Sequence, residues 1–332
     1  MKGGETLTVG VAGLGYWGPN LARNFDDLPA AELEWLCDID EARLATYGTR
    51  FPRARVTTRF EDLLADPRLD AVAIATPVPT HYRLAKQALV AGKHVFVEKP
   101  LALRGDLAEE LVALAEERER VLMPGHLLLY HPGVAKLTEL VDSGELGRIL
   151  YVYGNRQNLG QIRSDENALW SLGAHDLSVI LHLVREEPVE AWARGESYLR
   201  DAVEDVVFCF LRFPSGVVAH MHLSWLDPHK IRRITVVGDR KMAVFDDMEL
   251  DRKVTVYDKA AEQRTDTYGE WRTRTGDISI PKVRNDEPLR LECEHFLAFV
   301  RGERPRLEPA HEGLAVVRTL EQLQRALERE RV

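Results

Sequence analysis

The feature that most constrains this chain is Gly13-Leu-Gly15-Tyr-Trp-Gly18, which follows an apolar, β-rich run and opens a helical pattern. Glycines at this spacing permit a tight turn, close approach of the backbone to a pyrophosphate, and close packing of helix on strand. The amides at the helix N-terminus then face the anion. Asp38 stands twenty positions past Gly18, at the end of the next apolar run. A carboxylate there binds both hydroxyls of an adenosine ribose and repels a 2′-phosphate, so the expected cofactor is NAD rather than NADP. Asp40 competes for this role, but its place beyond the strand end marks a surface residue. A glycine turn with a solvated acid after an edge strand is the bland alternative; it leaves the strand, helix and acid as a coincidence.

Apolar runs at 7–12, 33–37, 71–75, 94–97 and 121–123 alternate with helical patterns at 17–27, 41–51, 81–91 and 107–119, and Gly92 supplies a helix stop. Such alternation with short connections implies parallel strands joined by right-handed crossovers. Beyond about Gly125 the rhythm changes. Helices are expected at 133–142 and 174–184. Crowded strand-like runs are expected at 149–156, 189–198, 203–213, 217–225, 231–237 and 242–246, with Pro214-Ser-Gly216 as a hairpin turn. The polar stretch 259–284 is expected to be irregular. Two helices, at 288–301 and 312–330, end the chain; Leu314, Val317, Leu320, Leu323 and Leu327 give the second a core stripe. At 332 residues the chain exceeds what one core usually supports. The expected fold is α/β: a doubly wound parallel Rossmann sheet over 1–124 that binds NAD, then a substrate-binding and oligomerisation domain over 125–332. The second domain is expected to hold a large, mostly antiparallel open sheet. Apolar side chains at Val217, Val218, Ala219, Met221, Leu223 and Trp225 would line its uncovered face and make a homo-oligomer, dimer or tetramer.

A net charge of −9 argues against a general nucleic-acid or anionic-membrane surface. No apolar run is long enough to span a bilayer. Cys37, Cys209 and Cys293 lie far apart and form neither a metal pair nor a disulfide framework, so the cytoplasm is the expected compartment. His220 with His222, and His126 with His131, lack a third ligand at metal spacing; no metal is expected. Asp246-Asp247 and the group Asp201, Glu204 and Asp205 read as turn and solvent acids. Arg156, Asn158 and Arg163 follow the first strand of the second domain, and an arginine fork suits a diphosphate or carboxylate on a substrate. Arg156 is the stronger candidate. The alternative is a structural arginine paired with a nearby acid.

The strand at 94–97 ends in Glu98-Lys99-Pro100. Ligands of doubly wound sheets bind at the carboxyl ends of strands, where a lysine beside the nicotinamide can stabilise a developing alkoxide or relay its proton. On chemistry alone, a surface lysine after a strand is an equal alternative. Taken together, Gly-Leu-Gly-Tyr-Trp-Gly, Ala75-Thr-Pro77 with Thr80-His81, and Gly92-Lys-His-Val-Phe-Val-Glu-Lys-Pro100 closely resemble the glucose–fructose oxidoreductase/inositol dehydrogenase (Gfo/Idh/MocA) family. The resemblance continues through Gly125-His126, Gly144-Glu-Leu-Gly147, Trp170 and Gly173-Ala-His175-Asp176. It implies Lys99 at the reacting carbon and His175 as general acid/base. The candidate cofactor contacts are then Gly13, Gly15, Tyr16, Trp17, Gly18, Asp38, Thr76, Pro77, His81, Glu98, Lys99 and Trp170. The candidate substrate contacts are His126, Tyr130, Arg156, Asn158 and Asp176. Relatives often carry Asp four residues before the histidine; this chain has Ser171.

The run Ser224-Trp-Leu-Asp-Pro228, with Val237-Gly238 after it, resembles the subgroup containing UDP-N-acetylglucosamine 3-dehydrogenases. The resemblance implies hydride transfer between NAD and a secondary hydroxyl of a nucleotide-linked hexose, such as UDP-N-acetylglucosamine at carbon 3. Reduction of a keto-sugar, or oxidation of inositol or a free sugar, is the alternative within the class. A non-catalytic sugar-sensing regulator on the same fold is the alternative outside it.

Overall fold

The strands of the first half are apolar throughout because both faces of their sheet are covered. In the computed structural model, which describes residues 6–160, 162, 166–263, 270–303 and 308–330, they are β1 (Leu7–Ala12), β2 (Ala31–Cys37), β3 (Arg55–Thr57), β4 (Ala71–Ile74), β5 (His94–Glu98) and β6 (Leu122–Gly125). All pair in parallel, in the order β3-β2-β1-β4-β5-β6. Between them run α1 (Gly18–Asp27), α2 (Glu41–Arg50), α3 (Phe60–Ala65), α4 (His81–Val90) and α5 (Gly105–Glu117). β3 and α3 are additions to the sequence reading; at three and six residues each is too short to display a period.

The second half holds α6 (Pro132–Asp142), β7 (Ile149–Gln157), α7 (Ala174–Val184), β8 (Glu190–Glu196), β9 (Val206–Arg212), β10 (Val218–Ser224), β11 (Ile231–Gly238), β12 (Met242–Asp246), β13 (Val254–Gln263) and β14 (Trp271–Ser279). These strands form one eight-stranded sheet, β14-β13-β12-β11-β7-β10-β9-β8. β7 and β10 run parallel and every other pair antiparallel. The β9–β10 hairpin turns where Pro214-Ser-Gly216 stands, with Gly216 at φ +87°.

Two expectations fail in this sheet. The stretch 259–284 is not irregular: β13 and β14 pair from Val256–Ser279 to Gln263–Trp271, residues 264–269 lying outside those described. As the outer hairpin it is solvated on both faces of β14, so its residues need no alternation and include the charges that discourage edge pairing. The second failure is one of phase. Val217, Ala219, Met221, Leu223 and Trp225 are buried, and the open face instead carries Val218, His220 and His222. Tyr153 stacks on His220 at 5.0 Å and Phe208 on His222 at 4.4 Å. Both sets of β10 residues are apolar or aromatic enough to pack, so alternation alone does not say which set points inward.

Two helices end the chain, α8 (Pro288–Val300) and α9 (Pro309–Glu330). The chain divides into two compact units, Met1–Leu127 with Glu287–Arg318, and Leu128–Asp286 with Thr319–Val332. The expected boundary at 124/125 thus needs correction: α8 and the start of α9 belong to the first unit. The reason lies in β5. Val95 and Val97 face a cluster with Leu84 and Ala88 of α4, Leu111 and Ala115 of α5, and Leu314 and Val317 of α9. Phe96 points to the opposite face, where Phe296 of α8 meets it edge-on at 5.8 Å and reaches Phe25 of α1 at 6.3 Å. Without α8, that side of β5 would lie bare.

Candidate active site

In the first unit, β1 and β4 are neighbours from which the chain departs in opposite directions, the switch point at which open α/β sheets bind ligands. Gly13 follows β1 at φ +91°, and a Cβ there would fall 2.6 Å from the carbonyl of Ala75. On Gly18, the first residue of α1, a Cβ would fall 1.7 Å from the Gly13 oxygen. The loop is therefore closed by backbone against backbone, which only glycine allows. Trp17 caps α1, and Tyr16 stands exposed with its ring edge-on to Trp17 at 5.7 Å.

Asp38, 6% exposed, accepts the Leu14 N–H at 2.5 Å and the Asp40 N–H at 2.9 Å. Asp40 caps α2, accepting the Ala42 N–H at 2.9 Å. The geometry thus assigns the two acids: Asp38 meets the glycine loop and Asp40 serves the helix. Sequence reasoning missed Arg43, whose guanidinium lies 3.6 Å from Asp38 and 3.3 Å from Asp40. One turn of α2 brings it beside an acid five residues earlier, a spacing legible only once the helix start is known.

After β4, Thr76 Oγ1 and Thr80 Oγ1 lie 2.6 Å apart, and Pro77 precedes the short turn to α4. His81 is buried, its ring nitrogens 2.9 Å from the Pro100 carbonyl and 2.8 Å from the Thr76 carbonyl. It braces the loops after β4 and β5. Both ring nitrogens face main chain, so what His81 offers as a candidate cofactor contact is the placing of those loops.

Lys99 and Pro100 follow β5. Desolvation pushes Glu98 up to about 7 against the opposing pull of the Lys99 charge and amide. His126, just after β6, is 3% exposed, and neither ring nitrogen has a hydrogen-bond partner among the described residues. Burial and the Lys99 charge push it down to about 4, so its imidazole is neutral. A Cβ on Gly125 would lie 3.3 Å from Glu98 Oε2; the missing side chain leaves room for that carboxylate. Sequence reasoning also missed Glu292 of α8, buried with Oε1 unpartnered among the described residues.

In the second unit, His175 is the second residue of α7 and follows a π-helical turn, Leu169–Gly173, a distortion frequent at functional sites. The Ser178 hydroxyl donates to the His175 carbonyl at 2.8 Å, and the Ser171 amide donates to the Asn167 carbonyl at 3.0 Å. Trp170 is buried and donates its indole N–H to Gln324 at 3.2 Å. The Arg156 reading needs correction. Its Nε donates to Asp176 at 2.7 Å and its Nη2 lies 2.6 Å from the same oxygen, with both side chains buried. The guanidinium is committed to an internal ion pair, the structural alternative, and Asp176 with it. Tyr130 is buried, Asn158 follows β7 with its amide donating to the Ser224 carbonyl at 3.1 Å, and Arg163 lies outside the described residues.

The glycine cradle and the Asp38 carboxylate beside it fit a dinucleotide. Comparison with known proteins agrees on NAD binding. Residues 7–126 match the oxidoreductase family with an NAD-binding Rossmann fold, and residues 134–244 match the GFO/IDH/MocA C-terminal domain. The UDP-N-acetylglucosamine 3-dehydrogenase of Acidithiobacillus ferrooxidans is 28% identical over 90% of each chain. Its solved structure superposes with a TM-score of 0.83 at 27% identity, covering 98% of both chains. An inositol 2-dehydrogenase of Salmonella paratyphi B is 26% identical over 81% of each chain. The structure of GenD2 from gentamicin A biosynthesis, solved in complex with NAD, gives a TM-score of 0.81 at 26% identity, covering 98% of this chain and 95% of that one.

Proposed function

This chain belongs to the Gfo/Idh/MocA family of NAD-binding oxidoreductases, and on that premise we propose that it oxidises a secondary hydroxyl of a nucleotide-linked hexose, with UDP-N-acetylglucosamine at carbon 3 as the leading substrate. The observation that carries the reading is the group formed by Lys99, Glu98 and the neutral, unpartnered His126 at the carboxyl ends of β5 and β6. Their strands lie on the same parallel sheet as the glycine cradle. NAD, when bound there, supplies the acceptor for the carbon-bound hydrogen. Asp38 holds the adenosine ribose, and the Gly13–Gly18 backbone admits the pyrophosphate. Lys99 stabilises the alkoxide that forms as the hydroxyl loses its proton, and His175 takes that proton as general base. His126 is buried and neutral, so it orients a substrate hydroxyl by hydrogen bonding without adding charge.

Arg156 no longer supports a diphosphate subsite. The nucleotide-sugar reading rests instead on the Ser224-Trp-Leu-Asp-Pro228 run and on the dehydrogenase of Acidithiobacillus ferrooxidans, which matches over nearly the full chain. The open face of the second unit's sheet, with Trp192 and Phe208 exposed upon it, supports a homo-oligomer. The three cysteines are buried and free, which suits a cytoplasmic enzyme.

The test offers purified protein NAD with a panel of UDP- and dTDP-sugars, inositol and glucose, read by nicotinamide absorbance with a coupled aminotransferase drawing off keto-sugar. Turnover of UDP-N-acetylglucosamine, with competitive inhibition by UDP, is the expected result. Oxidation of inositol or glucose with no effect of millimolar UDP would end the nucleotide-sugar reading and keep the dehydrogenase. No turnover with any sugar would favour the regulator.

A further inference from the structure

The carboxyl group of Glu292 is buried in the first unit's interior with an oxygen that no hydrogen bond among the described residues satisfies. α8 lies on the face of β5 that carries Phe96 and, two residues on, Glu98. Phe296 covers Phe96, and Glu292 stands one helical turn before Phe296 on the same side of α8. A strand period of two and a helix spacing of four thus set Glu292 against Glu98 behind the Lys99 turn. Glu292 is 1% exposed with Oε1 unpartnered among the described residues. A leucine would satisfy the packing at such a position, whereas an unmade buried hydrogen bond costs stability.

We propose that Glu292 is a positioning residue for Lys99: a buried neutral acid whose O–H holds the Glu98 carboxylate from behind the sheet, so that Glu98 in turn holds the Lys99 turn in place. The proposal rests on the catalytic reading of Lys99. The groups that bear on Glu98 come from several elements. Lys99 follows it on the chain, and the carboxyl of Glu292 and the thiol of Cys293, both on α8, feel its charge. His126 follows β6 and, like Glu98, feels the Lys99 charge. Desolvation and the Glu98 charge both favour the protonated form of Glu292, and Cys293 is likewise held as the thiol. Glu287, at the start of α8, has its own partner in Arg23 of α1. Among the described residues no cation other than Lys99 bears on the two acids, so a shared proton is what reconciles their burial.

Two substitutions separate positioning from bulk packing. Glu292→Gln keeps a neutral donor of the same shape and should leave kcat and its pH profile within about twofold of the parent. Glu292→Leu fills the space without the donor. It should lower kcat by about tenfold with KM for NAD little changed, and should move the acid limb of kcat/KM upward by about one pH unit as Glu98 loses its donor. Equal losses in both variants, or an unchanged kcat and pH profile in Glu292→Leu, would overturn the proposal. Infrared spectroscopy gives a readout independent of the substrate. The parent should show a protonated-carboxyl C=O band, sensitive to exchange into D2O, that is absent in Glu292→Gln; a band of equal strength in both would show that Glu292 is ionised. If no sugar is turned over, the substrate reading has failed, and the infrared band alone decides whether Glu292 is the neutral acid.

Discussion

Each unit of this protein buries a carboxyl group almost completely, and the two groups are treated in opposite ways. Asp176 in the second unit is met by a guanidinium, Arg156, in a buried pair. Glu292 in the first unit is met by another carboxylate; each acid also keeps one oxygen without a hydrogen-bond partner among the described residues, Oδ2 of Asp176 and Oε1 of Glu292. Desolvation raises both, but Arg156 opposes the rise at Asp176 whereas Glu98 reinforces it at Glu292. The difference separates framework from working surface. The Arg156–Asp176 pair satisfies charge with charge and fixes β7 to the start of α7, the turn that carries His175. In the first unit, His126 after β6 and Glu292 of α8 have no such ion-pair partner among the described residues; on the proposed reading a ligand completes the one and a shared proton the other.

The largest expected effect breaks the framework half of the comparison. Arg156→Leu strands Asp176 in the interior and should destabilise the protein by about 3–5 kcal/mol, the usual result of removing one partner of a buried pair. Chemical denaturation of Arg156→Leu beside the double variant Arg156→Leu, Asp176→Leu checks it. If the double variant is no more stable than the single one, the stranded charge is not the cause.

The next effect falls on the working surface. Lys99→Ala and His175→Ala should each lower turnover at least about a hundredfold, as loss of electrostatic or acid–base help does, with NAD affinity changed far less. Steady-state rates alongside calorimetric NAD titration measure both. A His175→Ala enzyme of near-normal turnover would assign the proton to another group.

A third effect follows from a histidine that must stay neutral. His94 Nδ1 accepts the Val121 N–H at 3.0 Å, and burial pushes the ring down to about 4 from the usual 6.5. Between those values the unfolded chain binds the proton and the folded chain does not, so stability falls as pH drops from 6.5 toward 4. Glu98, raised from 4.5 to about 7, contributes the opposite slope between those two values. His94→Asn, which retains an acceptor near the Nδ1 position, should reduce the acid loss by about 2 kcal/mol. Denaturation midpoints at pH 7 and pH 4.5 would decide; an undiminished loss would mean that His94 is not its source.

The smallest effect belongs to Glu292. Glu292→Leu removes the donor to the buried Glu98 carboxylate and should destabilise the fold by about 1 kcal/mol. Thermal unfolding checks it, and a raised midpoint would show that Glu292 makes no such hydrogen bond.

Much of this was legible in the sequence because the signals are local. The glycine fingerprint, the acid twenty positions on, and Glu98-Lys99 at a strand end all depend on residues within one strand–turn–helix unit. What misled the reading of the second unit was information that periodicity does not carry. The apolar run around Met221 showed alternation without showing its phase, and 259–284 showed none because an edge hairpin in solvent needs none. Arg156 looked like a ligand residue since a strand-end arginine reads the same whether it faces a cleft or a buried acid twenty residues later.

The sequence by itself determined the parallel nucleotide-binding sheet, its glycine cradle and the acid that meets that cradle from the end of β2, because these follow from backbone sterics and charge over short spans. Only the tertiary structure decided that α8 completes the first unit, that Arg156 belongs to Asp176, and that Glu292 stands behind Glu98. Those facts depend on which surfaces are left bare once the local elements have formed. Burial brings together residues 200 or more positions apart, such as Phe96 and Phe296 or Phe25 and Phe296, and no local pattern records that meeting.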